Sequence, residues 1–391
     1  MEKKKLKIAY PAFTPDHSNP AKNKKLIGNF LIHHLEKAGA DVEVISAKES
    51  NFLKTFLKIK KGLYQIFFQK SHLRHREPTL LKSLSKKISH QINQSDADIV
   101  FAFGSLSIAY LETDLPVYML TDATFDNLLD FYQEYKNVTK VTLENAKEIE
   151  QLAFEKASHI FFSSDWAAKS AIVNYSVPAE KISVVPLGAN LNQVPNIDEI
   201  NKSFDPGNLK QINLLSFGKY WERKGHDRAF AVLNSLLKKG ANAQLTIVGC
   251  DLPADWEKYD KFTRTKVTVI GNLNKDISYE LEMLETILKK THFLLFLSRA
   301  ETFGHVVCEA NAFGIPVIAA NIGGIPSAVR DGINGFLVDE DELPDKAVNL
   351  IMSITNNQET YNQLSMNSKI EYEERLNWDN SVKLILEKIV H

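Results

Sequence analysis

The sequence contains few cysteines and no long apolar segment. Cys250 and Cys308 are its only cysteines, too few for a disulfide framework or a cysteine-rich metal site. No run of about 18 apolar residues occurs, so we expect no membrane-spanning helix. The first ten residues are rich in lysine and lack the apolar core of a secretion signal. These absences predict a cytoplasmic protein.

Two motifs of cofactor-binding proteins are also missing or unconvincing. No Gly-x-Gly-x-x-Gly follows the first predicted strand, Leu6–Tyr10, which argues against a nicotinamide or flavin cofactor. Asp96-Ala-Asp98 has the spacing of an Asp-x-Asp metal motif. It precedes another predicted strand, Ile99–Phe103, and is interpreted as a solvated strand entrance. We therefore expect neither a redox cofactor nor a bound metal.

The residues that are present are typical of two packed domains. Hydrophobic residues make up 44% and aromatic residues 10% of the 391 residues, and a chain of this length ordinarily folds as about two domains. Short apolar strands alternate with amphipathic helices both before and after a polar segment, residues 190–210, which indicates an interdomain linker. This repeated alternation predicts the α/β class, with two mostly parallel sheets covered by helices.

Two glutamates, Glu301 and Glu309, stand eight residues apart in a stretch that is otherwise apolar and small. Residues 292–297 predict a buried strand, and residues 306–313 predict a helix ended by glycine and proline. Glu301 therefore lies at the carboxyl end of a strand, where open α/β sheets bind ligands. By themselves the two glutamates are equally consistent with unrelated surface acids.

The segment that contains these glutamates, residues 298–338, resembles the donor site of retaining glycosyltransferases of family 4, which carry a Glu-x7-Glu motif. The resemblance includes the basic loop Phe217–Gly225, with Lys219 where the family usually has arginine and Lys224 where it has lysine. A lysine offers a point charge where arginine offers a planar fork, so the contact with phosphate is expected to differ. Weaker similarity in residues 163–190 extends the resemblance over most of the chain.

The resemblance implies the GT-B fold, in which two Rossmann-like domains face a cleft. The first, acceptor-side domain would comprise residues 1–200 together with the final helix, residues 376–391. The second would comprise residues 201–375 and bind the nucleotide-sugar donor.

The resemblance also implies a role for each residue of the donor site. Lys219 and Lys224 would neutralise the diphosphate beside the amino end of a helix, which makes a metal unnecessary. Glu301 would hold a hydroxyl of the donor sugar, and Glu309 would hold the ribose hydroxyls. Further donor contacts, several of them through the backbone, are expected at Gly218, Gly249, Asn272, Thr302, Phe303 and Gly304.

Two positions depart from the family pattern. Asp122 follows a predicted strand, where the family often has a histidine that faces the donor. We expect Asp122 to accept a sugar hydroxyl or to stabilise positive charge at the anomeric carbon; the alternative is a helix N-cap or turn aspartate. The loop of residues 11–23 lacks the family's glycine pair. Its His17 is a candidate acceptor-side base, although a lone loop histidine is more often simply exposed.

Retention of anomeric configuration is implied by the resemblance alone. A double displacement requires a positioned carboxylate nucleophile. The sequence does not identify one, so a front-face substitution is favoured, with the leaving phosphate as the base.

A basic segment, residues 51–90, contains ten lysines and arginines against one acidic residue, Glu77. Apolar residues alternate with lysines through residues 53–70, which is typical of an amphipathic segment that binds anionic membranes. An ordinary packed helix with a solvated face is an equal alternative. Nucleic acid is disfavoured because no recognition motif accompanies the charge. The segment predicts peripheral association with the inner face of a membrane.

The combined prediction is a nucleotide-sugar-dependent, retaining hexosyltransferase that acts on a cell-surface glycan, a lipid-linked acceptor or a related one. One rival is a sugar-nucleotide epimerase of the same architecture, which the Glu-x7-Glu motif and the two lysines disfavour. The other is a non-catalytic sugar-nucleotide sensor or membrane-associated scaffold, which the complete set of donor positions disfavours.

Overall fold

The computed structural model describes residues 5–12, 27–191, 193–203, 211–275 and 277–390. His17 and most of the glycine-free loop lie outside these residues. The chain divides into two compact units, residues 1–185 with 382–391, and residues 186–381. The segment predicted as a linker falls within the second unit and contains a helix, Ile197–Ser203, in which Ile200 is buried.

The first unit is built on a six-stranded parallel sheet with the order β2-β1-β3-β4-β5-β6. Its strands are β1 Lys7–Ala12, β2 Asp41–Ser46, β3 Ile99–Phe103, β4 Val117–Thr121, β5 His159–Phe162 and β6 Ile182–Val184. Its helices are α1 Ile27–Lys37, α2 Asn51–Phe68, α3 Pro78–Ile92, α4 Phe125–Leu128, α5 Lys140–Lys156 and α6 Asp165–Tyr175.

The second unit repeats this plan with the strand order β12-β11-β10-β7-β8-β9, again with parallel pairing. Its strands are β7 Ile212–Phe217, β8 Ala243–Val248, β9 Val267–Ile270, β10 Phe293–Phe296, β11 Val317–Ala320 and β12 Gly335–Val338. The remaining helices are α7 Ile197–Ser203, α8 His226–Lys238, α9 Lys261–Arg264, α10 Ser278–Lys290, α11 His305–Ala312, α12 Ile325–Ala328, α13 Asp345–Thr355, α14 Gln358–Glu374 and α15 Trp378–Val390.

The central strands are buried because helices cover both faces of each sheet. All four residues of β5 and all four of β10 are buried, which explains why these strands are continuous apolar runs rather than alternating ones. Hydroxyl side chains fix the starts of several helices: Ser50 caps α2, Thr139 caps α5 and Ser164 caps α6. The predicted α/β class with two parallel sheets is confirmed.

Candidate active site

The second sheet reverses its strand order between β7 and β10. Because all strands are parallel, their carboxyl ends meet at one edge, and ligands bind open α/β sheets at such a reversal. The segment after β7 is Gly218–Gly225, and the segment after β10 is residues 297–304. These are the two segments that the sequence predicts to hold the donor.

Lys224 and Glu301 form an ion pair at this edge. Both side chains are largely buried, Glu301 being 8% exposed, and the Lys224 Nζ lies 5.3 Å from the centre of the Phe296 ring. Gly218 has a φ of 150°, and a Cβ there would lie 2.8 Å from the Lys224 side chain. The glycine therefore leaves the space through which Lys224 reaches Glu301.

His226 fixes the backbone at the start of this loop and was not predicted from the sequence. The side chain is fully buried at the first position of α8. Its Nε2 lies 3.0 Å from the Gly218 carbonyl, and its Nδ1 lies 2.8 Å from Ser216 Oγ. Burial lowers the pKa of His226, so the ring is neutral near pH 7. Since a carbonyl only accepts, we assign Nε2–H as the donor to Gly218 and Nδ1 as the acceptor from Ser216.

A second polar network joins the two segments of the site. The Arg299 guanidinium donates to both carboxylate oxygens of Asp227, at 2.8 and 2.6 Å. The Arg299 N–H donates to the Arg223 carbonyl, and the Arg223 guanidinium donates to the Ala300 carbonyl. Asp227 holds the pKa of Arg299 above its usual value. The loop after β7 is thereby tied to the residues that precede Glu301.

Lys219 differs from Lys224 in being exposed. In the part of the chain that the structure describes, no acidic residue forms an ion pair with it, so its charge faces solvent uncompensated. Its neighbour Tyr220 is also exposed and has a φ of 70°, an unusual conformation for a bulky residue.

Glu309 lies in α11 and is 2% exposed. One of its oxygens forms an ion pair with Lys275, a residue that no sequence motif indicates. None of the described residues donates a hydrogen bond to the other oxygen, Oε2. The Lys275 Nζ also lies 5.8 Å from the centre of the Phe217 ring, at the end of β7. A buried carboxylate oxygen of this kind can accept a hydroxyl from a ligand.

Two of the predicted donor contacts, Gly249 and Asn272, lie in different surroundings. Gly249 follows β8, and a Cβ there would lie 3.0 Å from the Gly218 carbonyl, so the two glycine backbones touch. Asn272 follows β9 and is exposed. Gly249 therefore contacts the loop Gly218–Gly225, whereas Asn272 lies exposed beyond the carboxyl end of β9.

The turn between Glu301 and α11 contains the remaining predicted donor contacts. Thr302 is half-buried, and Phe303 is buried. Gly304 has a φ of 108° and caps α11, whose amino end carries a partial positive charge. The backbone of this turn, rather than its side chains, is suited to contact an anionic or hydroxylated ligand.

Asp122 belongs to the first unit, where it is half-buried immediately after β4. Thr124, not Asp122, caps α4, in a reciprocal arrangement with Asn127. The buried Glu150 holds the start of α4 by accepting the Phe125 N–H at 2.8 Å. Burial raises the pKa of Glu150. Asp122 thus lies on a braced loop at the carboxyl edge of the first sheet.

The Asp-x-Asp sequence serves a structural purpose. Asp96 pairs with the Lys7 side chain, and Asp98 accepts the Lys7 N–H at 3.0 Å. Both aspartates lie at the amino end of β3, away from the edge where ligands bind parallel sheets. Within the described ranges, no group of three histidine, cysteine or acidic residues is placed to hold a metal ion.

Family models match both halves of the chain. Residues 30–193 match the Glycosyltransferase Family 4 model, and residues 198–371 match the Glycosyl transferases group 1 model. No match is found among curated proteins.

Solved structures share the fold over nearly the full chain. Sucrose-phosphate synthase from Thermosynechococcus elongatus is 16% identical, with 98% of each chain covered and a TM-score of 0.66. The lipopolysaccharide outer core galactosyltransferase WaaB is 17% identical, with 98% of this chain and 100% of that chain covered and a TM-score of 0.64. Anabaena Alr3699/HepE, in complex with UDP and glucose, is 18% identical, with 98% and 99% covered and a TM-score of 0.61. Together the fold and the two family-model matches indicate that the chain is a GT-B glycosyltransferase of the family 4 type.

Proposed function

We propose that the protein is a retaining hexosyltransferase that uses a nucleotide-sugar donor. The observation that supports this most directly is the buried Lys224–Glu301 ion pair at the strand reversal of the second sheet. In this pair, a cation that would bind the departing diphosphate contacts a carboxylate that would accept hydrogen bonds from sugar hydroxyls. Transfer without a metal is part of the proposal.

The leaving diphosphate gains negative charge as the glycosyl bond breaks, and stabilising that charge is usually the largest catalytic contribution. Lys224 is held by its ion pair with Glu301 and so is positioned before the reaction begins. Lys219 is exposed and can move onto the phosphates when the donor binds. For the retained configuration we propose front-face substitution, in which the leaving phosphate oxygen takes the proton of the acceptor hydroxyl.

Hydroxyl recognition on the donor is assigned to the two glutamates. Glu301 accepts a hydrogen bond from a hydroxyl of the hexose, and Glu309 Oε2 accepts one from a hydroxyl of the ribose. The relative in complex with UDP and glucose makes UDP-glucose the first donor to test. Asp122 is proposed to contact the donor sugar, either by accepting a hydrogen bond from a hydroxyl or by stabilising positive charge at the anomeric carbon.

The acceptor is proposed to be a cell-surface glycan, a lipid-linked sugar or a related molecule, reached from the cytoplasm at the inner face of the membrane. The likeness to WaaB, a lipopolysaccharide galactosyltransferase, supports testing envelope glycans first. None of the described helices is both long and apolar enough to cross a bilayer. We propose that the association with the membrane is peripheral.

The decisive experiment is release of free nucleotide from UDP-, GDP- and ADP-hexoses, measured without added metal. We expect slow hydrolysis of one donor by the wild-type protein and loss of that activity in Glu301→Ala. Lys346→Gln, which breaks the exposed Lys346–Glu342 pair in the same unit, is the matched control and should retain full activity. A donor that binds but is never hydrolysed or transferred would instead favour a sensor.

Retention is tested separately, by the anomeric configuration of the first transfer product in its proton NMR spectrum. An α-linked donor should give an α-linked product. A β-linked product would refute the retaining mechanism while leaving sugar transfer intact.

A further inference from the structure

Helix α2 exposes a continuous apolar surface in the first unit. Seven of its large apolar side chains are about half or more exposed, among them Phe52 at 81% and Ile66 at 73%. Six of the seven, all except Phe68, form what we call the α2 stripe: Phe52, Phe56, Ile59, Leu63, Ile66 and Phe67. At 3.6 residues per turn they fall within an arc of about 100°. An exposed apolar patch of this kind marks an interaction surface.

The α2 stripe is not a core face left without its partner, because α2 already packs through another side. Leu57 is fully buried, and the Tyr64 ring stacks on the buried His72 ring with their centroids 4.6 Å apart. The Lys60 Nζ donates to buried Glu77 at 2.7 Å. These contacts hold the helix in place and direct the stripe away from the core of the unit.

The remaining side of α2 is basic. Lys54, Lys58 and Lys61 are exposed, and residues 50–76 contain no aspartate or glutamate. A helix is about 10 Å across, similar to the distance over which charges act at physiological salt. The lysines can therefore be attracted electrostatically by an anionic surface into which the stripe is inserted.

We propose that the α2 stripe inserts into the headgroup region of an anionic lipid bilayer, with α2 lying in the plane of the membrane. A large apolar face on one side and lysines on the other are typical of a helix that lies in the membrane interface. A second copy of the chain is disfavoured as the occupant, because a contact between two α2 stripes would leave the lysines of both helices without an acidic partner, whereas an anionic bilayer supplies the opposite charge.

The location of α2 relates this surface to the acceptor side. The helix follows β2 and so begins at the carboxyl edge of the first sheet, the edge that also carries Asp122. Soon after α2, the Arg76 guanidinium lies 4.5 Å from the centre of the Phe125 ring, at the start of α4, the helix that follows Asp122. Docking would hold this edge near acceptors in the bilayer. The presence of such acceptors rests on the proposed function, whereas binding of α2 to the bilayer does not.

The experiment is flotation of the full chain with vesicles of phosphatidylglycerol and phosphatidylcholine, compared with pure phosphatidylcholine. The stripe variant combines Phe56→Ser, Leu63→Ser and Phe67→Ser. The lysine variant combines Lys54→Gln, Lys58→Gln and Lys61→Gln. The matched control combines Ile172→Ser and Val173→Ser, which are exposed apolar residues of α6 in the same unit. Circular dichroism confirms that each variant is folded.

We expect wild type and control to float with anionic vesicles. The affinity of the stripe variant for these vesicles should fall by at least about tenfold. The lysine variant should also lose about tenfold, and added salt should weaken wild-type binding. Equal flotation of the stripe variant and wild type would overturn the proposal. So would equal binding to neutral vesicles, or a wild-type protein that ignores vesicles and self-associates through the stripe. Donor hydrolysis without vesicles should be unchanged in the stripe variant, so failure of docking and failure of catalysis are distinguishable.

Discussion

At the scale of single residues, Lys219 tests whether the basic loop binds phosphate. Lys219→Ala removes an exposed charge with no described ion-pair partner, so folding stability should hardly change. A charge-assisted hydrogen bond contributes about 1.5–3 kcal/mol. We therefore expect the affinity for the nucleoside diphosphate, measured by titration calorimetry, to fall about ten- to a hundredfold.

Two further substitutions sharpen this test. Lys219→Arg restores the residue usual in the family and should keep or improve the affinity, since guanidinium binds phosphate through two parallel hydrogen bonds. Lys261→Ala, at another exposed lysine of the second unit, should have no effect. An unchanged affinity in Lys219→Ala would remove this residue from the donor site.

The effect of removing Lys275 is a second prediction for a single residue, and only the structure provides it. Lys275→Met leaves the Glu309 carboxylate buried without its cation, which should reduce the free energy of unfolding by roughly 3 kcal/mol. Combining it with Glu309→Gln removes the unpaired charge and should restore most of that stability. Urea unfolding of the two single variants and the double variant measures the coupling.

The same variants separate folding from binding. If Glu309 holds the ribose, affinity for the nucleoside diphosphate should stay low in the double variant even after stability returns. Recovery of affinity together with stability would mean that Lys275 and Glu309 form a purely structural pair.

At the scale of elements, the contact between α8 and β10 controls the shape of the site. Gly225 precedes α8 with a φ of 71°, and a Cβ there would lie 2.0 Å from the Leu297 carbonyl oxygen. Gly240, just beyond the other end of α8, has a φ of 82° with no atom within 4 Å of the same position. Both Gly→Ala changes cost about 1 kcal/mol in backbone strain, but only Gly225→Ala also forces β10 and α8 apart.

We therefore expect Gly225→Ala to reduce the free energy of unfolding by several kcal/mol, about 3 or more, and to weaken donor binding. Gly240→Ala should cost only about 1 kcal/mol and leave binding intact. Urea denaturation of the two variants, with calorimetry for the donor nucleotide, measures both effects. Equal losses in the two variants would show that the steric contact with Leu297 relaxes without consequence.

Strands and helices with clear apolar periodicity were predictable from the sequence. The strand before Glu301 and the helix after it lie within one or two residues of their predicted positions, because burial of Phe293 and Val307 determines both. Helix α7 was missed in a segment whose prolines and polar residues indicated a linker. A single buried residue, Ile200, is too weak a periodic signal to reveal a helix.

The site was predictable only where a known motif marked it. Glu301 and Lys224 were identified by pattern, but their ion pair joins residues 77 positions apart. Lys275 and Glu309 are 34 positions apart, and Lys275 lies in a loop without periodicity. His226 resembles any histidine at the start of a helix until its contacts with Ser216 and Gly218 are known. These pairings depend on strand order, which local sequence does not encode.

At the scale of the whole molecule, buried histidines make stability depend on pH. Burial lowers the pKa of His159 in the first unit and of His292 in the second, each to about 4. In the unfolded chain each histidine is protonated as the pH falls below about 6.5, whereas in the folded chain it stays neutral down to about pH 4. The contribution of these histidines to the free energy of unfolding is therefore fully present above pH 6.5 and decreases as the pH falls from 6.5 toward 4. His292 can contribute a loss of about 3 kcal/mol over that range, and His159 contributes in the same direction.

His292 gives the sharpest test, because its Nδ1 accepts the Asn213 N–H at 2.8 Å and so must be unprotonated. His292→Asn keeps an acceptor at a similar position but cannot titrate. Wild type should lose about 2 kcal/mol more than this variant between pH 7 and pH 5. Urea unfolding followed by tryptophan fluorescence reports mainly on the second unit, which contains Trp221, Trp256 and Trp378 of the four tryptophans. Carboxylates titrate alike in both proteins, so parallel pH profiles would mean that His292 is protonated without cost in the folded state.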